Sequence, residues 1–195
     1  MKLLHIDSSI LGDNSTSRTL SAAMVKRWQD ATPGLEVSYR DLAEARLPHL
    51  TGGSLAGADA QEAELAAAMM AEFLAADVVV VGVPMYNFNI PSQLKAWIDR
   101  ISVAGKTFKY TEAGPVGLAG GKTVFVAGAY GGFHSGDAPT NFIEPYLRFL
   151  FGFFGIVDVD FVTAEGLAVS PEQRHRSMQA ALARIAEPLE LELAA

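Results

Sequence analysis

The sequence predicts a doubly wound α/β fold: one parallel sheet of five strands with helices on both faces. Three observations predict it. Short apolar runs alternate five times with amphipathic stripes, and strand-then-helix alternation is the signature of a parallel sheet with helical crossovers. The strongest run, Val78 to Val83, is apolar at successive positions, as a strand covered on both faces requires. The chain has 195 residues, 50% of them hydrophobic and 19% charged, which suits a single domain, 1–195, with a full-sized core.

The elements follow in order. Leu3 to Ile6 is an apolar run ending at Asp7, the first strand. The turn-rich stretch SSILGDNSTS comes next. Leu20, Met24 and Trp28 recur at i, i+4 and i+8, the stripe of a helix that Ser15 or Ser17 can cap. Leu35 to Tyr39 is the second strand. Asp59 and Glu62 have capping-box spacing, and Leu65, Met69, Phe73 and Ala76 continue that helix. After the third strand, Val78 to Val83, Pro91 suits a helix's first turn; Leu94, Trp97, Ile98 and Ile101 form its buried stripe. Thr123 to Ala129 is the fourth strand, Asn141 to Phe153 a helix, and Val157 to Val162 the fifth strand. Ser170-Pro171-Glu172-Gln173 is a capping box with proline at the first helical position, opening a last helix to about Leu189. Residues 42–58 and 102–120 are long connections; neither marks a domain boundary.

Composition narrows the function. A formal net charge of -7 argues against nucleic acid or an anionic membrane as partner. The absence of cysteine removes disulfides, thiolate catalysis and cysteine-ligated metals; it agrees with a reducing, cytoplasmic setting. MKLLHIDSS carries an acid at position 7 and no long apolar region, so no signal peptide is expected. The apolar run from Phe149 to Val157 is about half the length of a membrane span.

Ligands of open α/β sheets bind beyond the carboxyl ends of the strands, where the strand order switches. With order 2-1-3-4-5 the first, third and fourth strands are neighbours, and the loops SSILGDNSTS, PMYNFN and AYGGFHSGD converge. The first loop offers Ser9, Ser15, Thr16 and Ser17 ahead of a helix N-terminus, a donor set for one phosphate. A single serine there would more simply cap the helix; four hydroxyls around a strand-to-helix turn favour the phosphate. In the second loop, Met85, Tyr86 and Phe88 either tuck into a core or subunit contact, or wall a flat ring system. Beside a phosphate loop, and beside Gly131-Gly132, whose missing side chains let a backbone approach a ligand, the ring is favoured. The pair could also be a plain tight turn.

Rival motifs fail. Gly12 stands alone, so G-x-G-x-x-G is absent. GLAGGKT, Gly117 to Thr123, is one residue short of a Walker A loop and leads into a strand. Asp7 resembles the phospho-acceptor of a receiver domain, but the third strand ends at Pro84-Met85 instead of Asp. No G-x-S-x-G elbow follows a strand. His5, His49, His134 and His175 lack metal-ligand spacing; His134 lies on a converging loop and could reach the site, although a surface histidine is the simpler reading. YLRFLFGFFG, Tyr146 to Gly155, reads as core, with phenylalanines to spare for a dimer contact.

SSILGDNSTS, PMYNFNIPSQLKAWID, TFKYTEAGPVGL and the GG-x-H loop, in this order and spacing over almost the whole chain, resemble the FMN-dependent NADH azoreductases, also described as quinone reductases. M-Y-N-F is the most specific of these motifs. The resemblance implies a flavodoxin-like homodimer with one FMN per subunit. Ser9, Ser15, Thr16 and Ser17 would hold the phosphate; Met85, Tyr86, Asn87 and Phe88 would meet the isoalloxazine edge and ribityl chain; Ala129, Tyr130, Gly131 and Gly132 would contact the pyrimidine side. Family members often carry Ser-Arg at the positions of Ala129 and Tyr130, so a hydroxyl contact is lost here. Tyr110, Phe151 and His134 would line the substrate space, Phe151 from the partner subunit. The implied activity is hydride transfer from NADH or NADPH through flavin N5 to quinones or aromatic azo compounds, by a ping-pong course with no catalytic side chain and no metal. The alternative on this fold is a flavodoxin-type single-electron carrier, which the SxxxxxSTS loop disfavours because carriers have Thr-rich phosphate loops.

Overall fold

The computed structural model describes residues 1–44 and 47–187. In chain order the elements are β1 (Lys2–Asp7), α1 (Thr16–Ala31), β2 (Glu36–Asp41), α2 (Gly52–Leu55), α3 (Ala60–Ala75), β3 (Val78–Pro84), α4 (Ser92–Ile101), β4 (Phe108–Thr111), β5 (Gly114–Gly117), β6 (Thr123–Ala129), α5 (Ile143–Phe153), β7 (Asp158–Ala164) and α6 (Pro171–Ala186). A five-stranded sheet has the order β2-β1-β3-β6-β7, and every neighbouring pair is parallel. This is the expected topology 2-1-3-4-5 with its last two strands renumbered, because an antiparallel hairpin, β4–β5, stands before them in the chain.

Alternation along each strand divides the core between the two faces of the sheet. Leu4, Ile6, Val79, Val81, Val124 and Val126 pack with Met69 and Phe73 of α3, Trp97 of α4 and Leu147 of α5. Leu3, Val78, Val80, Ala127 and Val162 pack with Leu20, Met24 and Trp28 of α1 and Ile185 of α6. Every residue of β3 is buried, which explains its unbroken apolar run. Each such aliphatic side chain contributes about 1.5–3 kcal/mol on burial.

The helix starts obey their caps. Ser15 Oγ accepts from Arg18 N, Asp59 Oδ1 from Glu62 N, and Ser170 Oγ from Gln173 N. Pro91 is the residue before α4, with ψ 145°, and the helix begins at Ser92. α5 begins at Ile143, two residues later than the sequence suggests. The expected extension of α6 to about Leu189 lies outside the described residues.

The 102–120 connection holds structure that the sequence pattern did not announce. FKYT and GPVG form the hairpin around Glu112-Ala113, and Phe108 anchors it against Phe153 at 4.5 Å between ring centroids. Gly117 and Gly155 lie back to back: a Cβ on Gly117 would collide with the Gly155 backbone. That close approach lets Ala119 N–H reach Phe154 O at 2.9 Å, fixing the hairpin to the end of α5.

Candidate functional site

Register brings the three loops to one edge. Asp7 is level with Gly82, Pro84 with Ala129, and Ala129 with Ala164. The loops after β1, β3 and β6 therefore leave adjacent strand ends.

The first loop passes through a 3-10 turn at Gly12–Asn14 before Ser15 caps α1. Ser15 Oγ and Ser17 Oγ are 3.1 Å apart, and Ser15 Oγ also takes Arg18 N–H. Two hydroxyls carry two protons and spend one between them, so one remains for an outside acceptor. Ser9 Oγ and Tyr86 Oη repeat the arrangement at 3.2 Å, with Leu11 N–H on the first oxygen and Ile10 N–H on the second. The N–H groups of Thr16 and Ser17 belong to the first helical turn, which no intrahelical carbonyl can satisfy; among the described residues they find no other acceptor. α3, α5 and α6 each place a glutamate in their first turn, whereas α1, like α4, has no acid there. No acid of its own first turn offsets the positive end of α1. Donors in excess at such an end form an anion site.

A polar network ties this loop to β1 and β2. Arg18 grips Asp41 with both nitrogens, at 2.5 and 2.8 Å, and donates to Tyr39 Oη at 3.1 Å and to Ser9 O at 2.8 Å. Asp7 is buried and accepts from Ser21 Oγ at 2.7 Å and Tyr39 Oη at 3.2 Å, with His5 Nε2 at 3.4 Å. Burial pushes the Asp7 carboxyl upward, but the His5 contact, the Ser21 bond and the Arg18 charge outweigh it and hold it below the usual carboxylate range. Burial and the neighbouring carboxylates push the Tyr39 phenol up to about 12. Position 82 must be glycine because a Cβ would strike Asp7 Oδ1. Asp7 is thus a structural anchor.

The second loop is a two-residue turn closed by Tyr86 N–H to Asn89 O (2.9 Å) and Asn89 N–H to Tyr86 O (3.1 Å). Asn87 and Phe88 have φ 49° and 65°. Two successive left-handed residues make a type I′ turn, which normally takes Asn-Gly. Asparagine fits the first position; phenylalanine at the second stores strain of about 1–2 kcal/mol. Its ring stands 51% exposed and meets the His134 ring edge-to-face, 5.6 Å between centroids. Met85 is half-buried against the core, and its N–H donates to Ala129 O.

In the third loop every carbonyl from 129 to 132 is spent. Ala129 O accepts from Met85, Tyr130 O from Leu167, Gly131 O from Ala168 and Gly132 O from Gly166, at 2.7–3.1 Å. The N–H groups of Gly131 and Gly132 find no acceptor among the described residues. This edge offers donors while its own carbonyls are spent. A Cβ on Gly132 would lie 2.7 Å from His134 Nε2. His134 is held by its N–H on Glu165 Oε2 (2.9 Å) and its Nδ1 on Thr140 Oγ1 (2.7 Å).

Three residues expected at the site sit apart from the rest, in ways that limit what they can touch. The Tyr130 ring is 1% exposed within the core, its phenol pushed up to about 12 by burial; a ligand could meet only backbone near it. Phe151 is also 1% exposed and packs in the same core: α5 turns position 151 inward and Phe149 outward. Tyr110 is 75% exposed on the hairpin. Arg18, Asp41, Tyr39, Glu165 and Arg174 were not expected from the sequence; all are joined to the loops by contacts that local pattern does not mark.

A parallel doubly wound sheet with donor-rich loops at its carboxyl edge is the frame of a phosphate-bearing-cofactor protein. The chain belongs to the flavodoxin-like fold family, whose model matches residues 1–189. It is 57% identical over 185 residues to the FMN-dependent NADH:quinone oxidoreductase of Stenotrophomonas maltophilia (strain K279a), covering 95% of this chain and 94% of that protein. It is 55% identical over 195 residues to FMN-dependent NADH:quinone oxidoreductase 1 of Xanthomonas euvesicatoria pv. vesicatoria (strain 85-10), covering all of both. Among solved structures it resembles the azoreductase from Bacillus anthracis str. Sterne, with TM-score 0.86 and 30% identity over 95% of this chain and 96% of that one. It also resembles the FMN-dependent NADH-azoreductase from Bacillus anthracis str. Ames Ancestor in complex with FMN, with TM-score 0.83 and 27% identity over 94% and 97%.

Proposed function

We propose that this chain is an FMN-dependent NADH:quinone oxidoreductase that also reduces aromatic azo compounds. The observation that carries the reading is the set of unpaired donors on two converging loops: the N–H groups of Thr16 and Ser17 at the α1 N-terminus and those of Gly131 and Gly132. That donor set fits FMN, a ligand with a phosphate at one end and a carbonyl-bearing ring edge at the other. Relatives at 57% and 55% identity over nearly all of the chain bear the name of this activity.

In this reading the chain is one FMN-binding domain. Ser9, Ser15, Thr16 and Ser17 would hold the phosphate. Met85, Tyr86, Asn87 and Phe88 would flank the ribityl chain and ring, and the backbone of Ala129, Tyr130, Gly131 and Gly132 would border the ring's carbonyl edge. When bound, FMN supplies the two-electron hydride chemistry. The protein's own part is position and field. Free N–H groups of Gly131 and Gly132 would stabilise negative charge on that edge. Phe88, held outward by its turn, would cover the ring from water.

NADH or NADPH and the quinone would use one crevice in turn, because the converging loops make one site. Initial rates at several fixed quinone concentrations should give parallel double-reciprocal lines that depend on added FMN. Converging lines would overturn the shared crevice, and FMN-independent rates would overturn the flavin reading.

A homodimer is part of the proposal. Tyr110, Phe108, Phe153 and Phe149 form a row of aromatic contacts, and the two ends are 75% and 74% exposed. Solvent-facing aromatics in such a row favour burial by a second copy. A cytoplasmic location fits the cysteine-free composition, and among the described residues no helix is long and apolar enough to cross a membrane.

A further inference from the structure

We infer that Arg174, the fourth residue of α6, is the cationic partner of the ligand phosphate at the α1 N-terminus. The inference rests on the flavin reading above and adds to it a residue that the loop motifs do not contain.

Charge is the starting point. Arg18 is the arginine nearest the phosphate loop in sequence, but its two terminal nitrogens are taken: they are bidentate on Asp41, 4.0 Å from Asp7 Oδ2 and bonded to Ser9 O, and Nε, which has no partner, is buried. Counting Asp7, Asp41 and Arg18, with His5 neutral, this network carries one net negative charge close to the loop. A phosphate would be repelled by it unless another cation stood near. Arg174 supplies one. Its Nη2 donates to Thr16 Oγ1 at 2.9 Å, bridging the openings of α6 and α1 across 158 residues of sequence.

The choice of acceptor is informative. Arg40, Arg100, Arg148 and Arg184 each pair with a carboxylate. Arg27, Arg174 and Arg176 form no ion pair among the described residues, and of these three Arg174 is the one bonded to the phosphate loop, through the neutral Thr16 hydroxyl. A guanidinium has five donors, so most of the capacity of this exposed side chain stays open, and no carboxylate claims its charge among the described residues. Thr16 Oγ1, by accepting from Arg174, keeps its own proton free to donate. The same bond therefore holds the cation beside the first helical turn and turns a hydroxyl into an anion donor there. The α1 terminus, with no acid in its first turn, and the unpartnered N–H groups of Thr16 and Ser17 complete a site for a dianion.

The test uses Arg174→Gln and Arg174→Lys in the full chain, titrated with FMN and with riboflavin by flavin fluorescence at several salt concentrations. Arg174→Gln should weaken FMN binding by about fivefold or more at low salt, as loss of a cation facing a dianion implies, and flatten its salt dependence. Riboflavin, which lacks the phosphate, should bind as before. Arg174→Lys should recover most of the FMN affinity. Unchanged FMN affinity in Arg174→Gln overturns the inference while leaving the flavin reading standing. Equal weakening of FMN and riboflavin also overturns it, since the residue would then only shape the loop. A parent protein that binds neither flavin overturns the flavin reading itself.

Discussion

Ser15 has two duties at one atom. Its oxygen caps α1 by accepting from Arg18 N, and it shares a proton with Ser17. Replacing both serines by alanine removes the cap as well as the anion donor, so stability and binding must be separated. Loss of the cap costs about 1 kcal/mol. Hydrogen bonds to a charged group are worth about 1.5–3 kcal/mol. The double variant Ser15→Ala/Ser17→Ala should therefore lose FMN affinity by at least tenfold while riboflavin affinity moves far less; equal losses would remove the phosphate from this loop. Phe88 gives an opposite case. Phe88→Gly relieves about 1–2 kcal/mol of left-handed strain and gives back about 0.5–1 kcal/mol as chain entropy. The thermal midpoint should stay or rise while FMN binds more weakly. A lower midpoint with unchanged binding would show that the exposed ring serves the fold alone. Residues such as Ser15 and Phe88 were legible from sequence because local pattern marks them: hydroxyls before a helix stripe, aromatics after a buried strand. Arg174 was not, since nothing near it in sequence indicates that α6 opens beside α1.

At the scale of elements, β1, β2 and α1 are joined by polar side chains at their loop ends. Asp7 and Asp41 both have lowered pKa values: burial raises each, and for Asp41 the Arg18 bonds and the Ala43 and Glu44 N–H groups outweigh it. A carboxyl lowered in the native state binds fewer protons there than in the unfolded chain, so stability rises with pH in that range. The contribution is complete above the ordinary carboxylate value and is lost as pH falls through the native one. Urea midpoints should thus fall from about pH 5 downward, and Asp7→Asn should reduce that slope at a cost in stability at neutral pH. An unchanged slope would show that Asp7 does not hold the network. The elements themselves were readable: both faces of β3 announce a central strand, and caps at Ser15, Asp59 and Ser170 place helix starts. The β4–β5 hairpin escaped because its strands are four residues each and its fixing contact, Gly117 against Gly155, joins distant segments. The alternation in FKYT before a turn ending in Gly114 was the available signal.

For the whole molecule, the parallel order follows from alternation and handedness, and that order alone explains why three loops meet. Association of two copies is a separate matter, carried by the surface. A mass near twice that of the 20.8 kDa chain is expected from light scattering at micromolar concentration, and Phe149→Asp should shift it toward the monomer. A parent that is monomeric would contradict the aromatic row as a subunit contact. The central claim, that the carboxyl-edge loops bind a redox flavin, is tested most directly by the visible absorption spectrum of the purified protein with FMN, followed without oxygen as NADH and then a quinone are added. A flavin band at one equivalent per chain is expected, bleached by NADH and restored by quinone. A protein that stays colourless after exposure to FMN, or a bound flavin that NADH leaves unchanged, would contradict it.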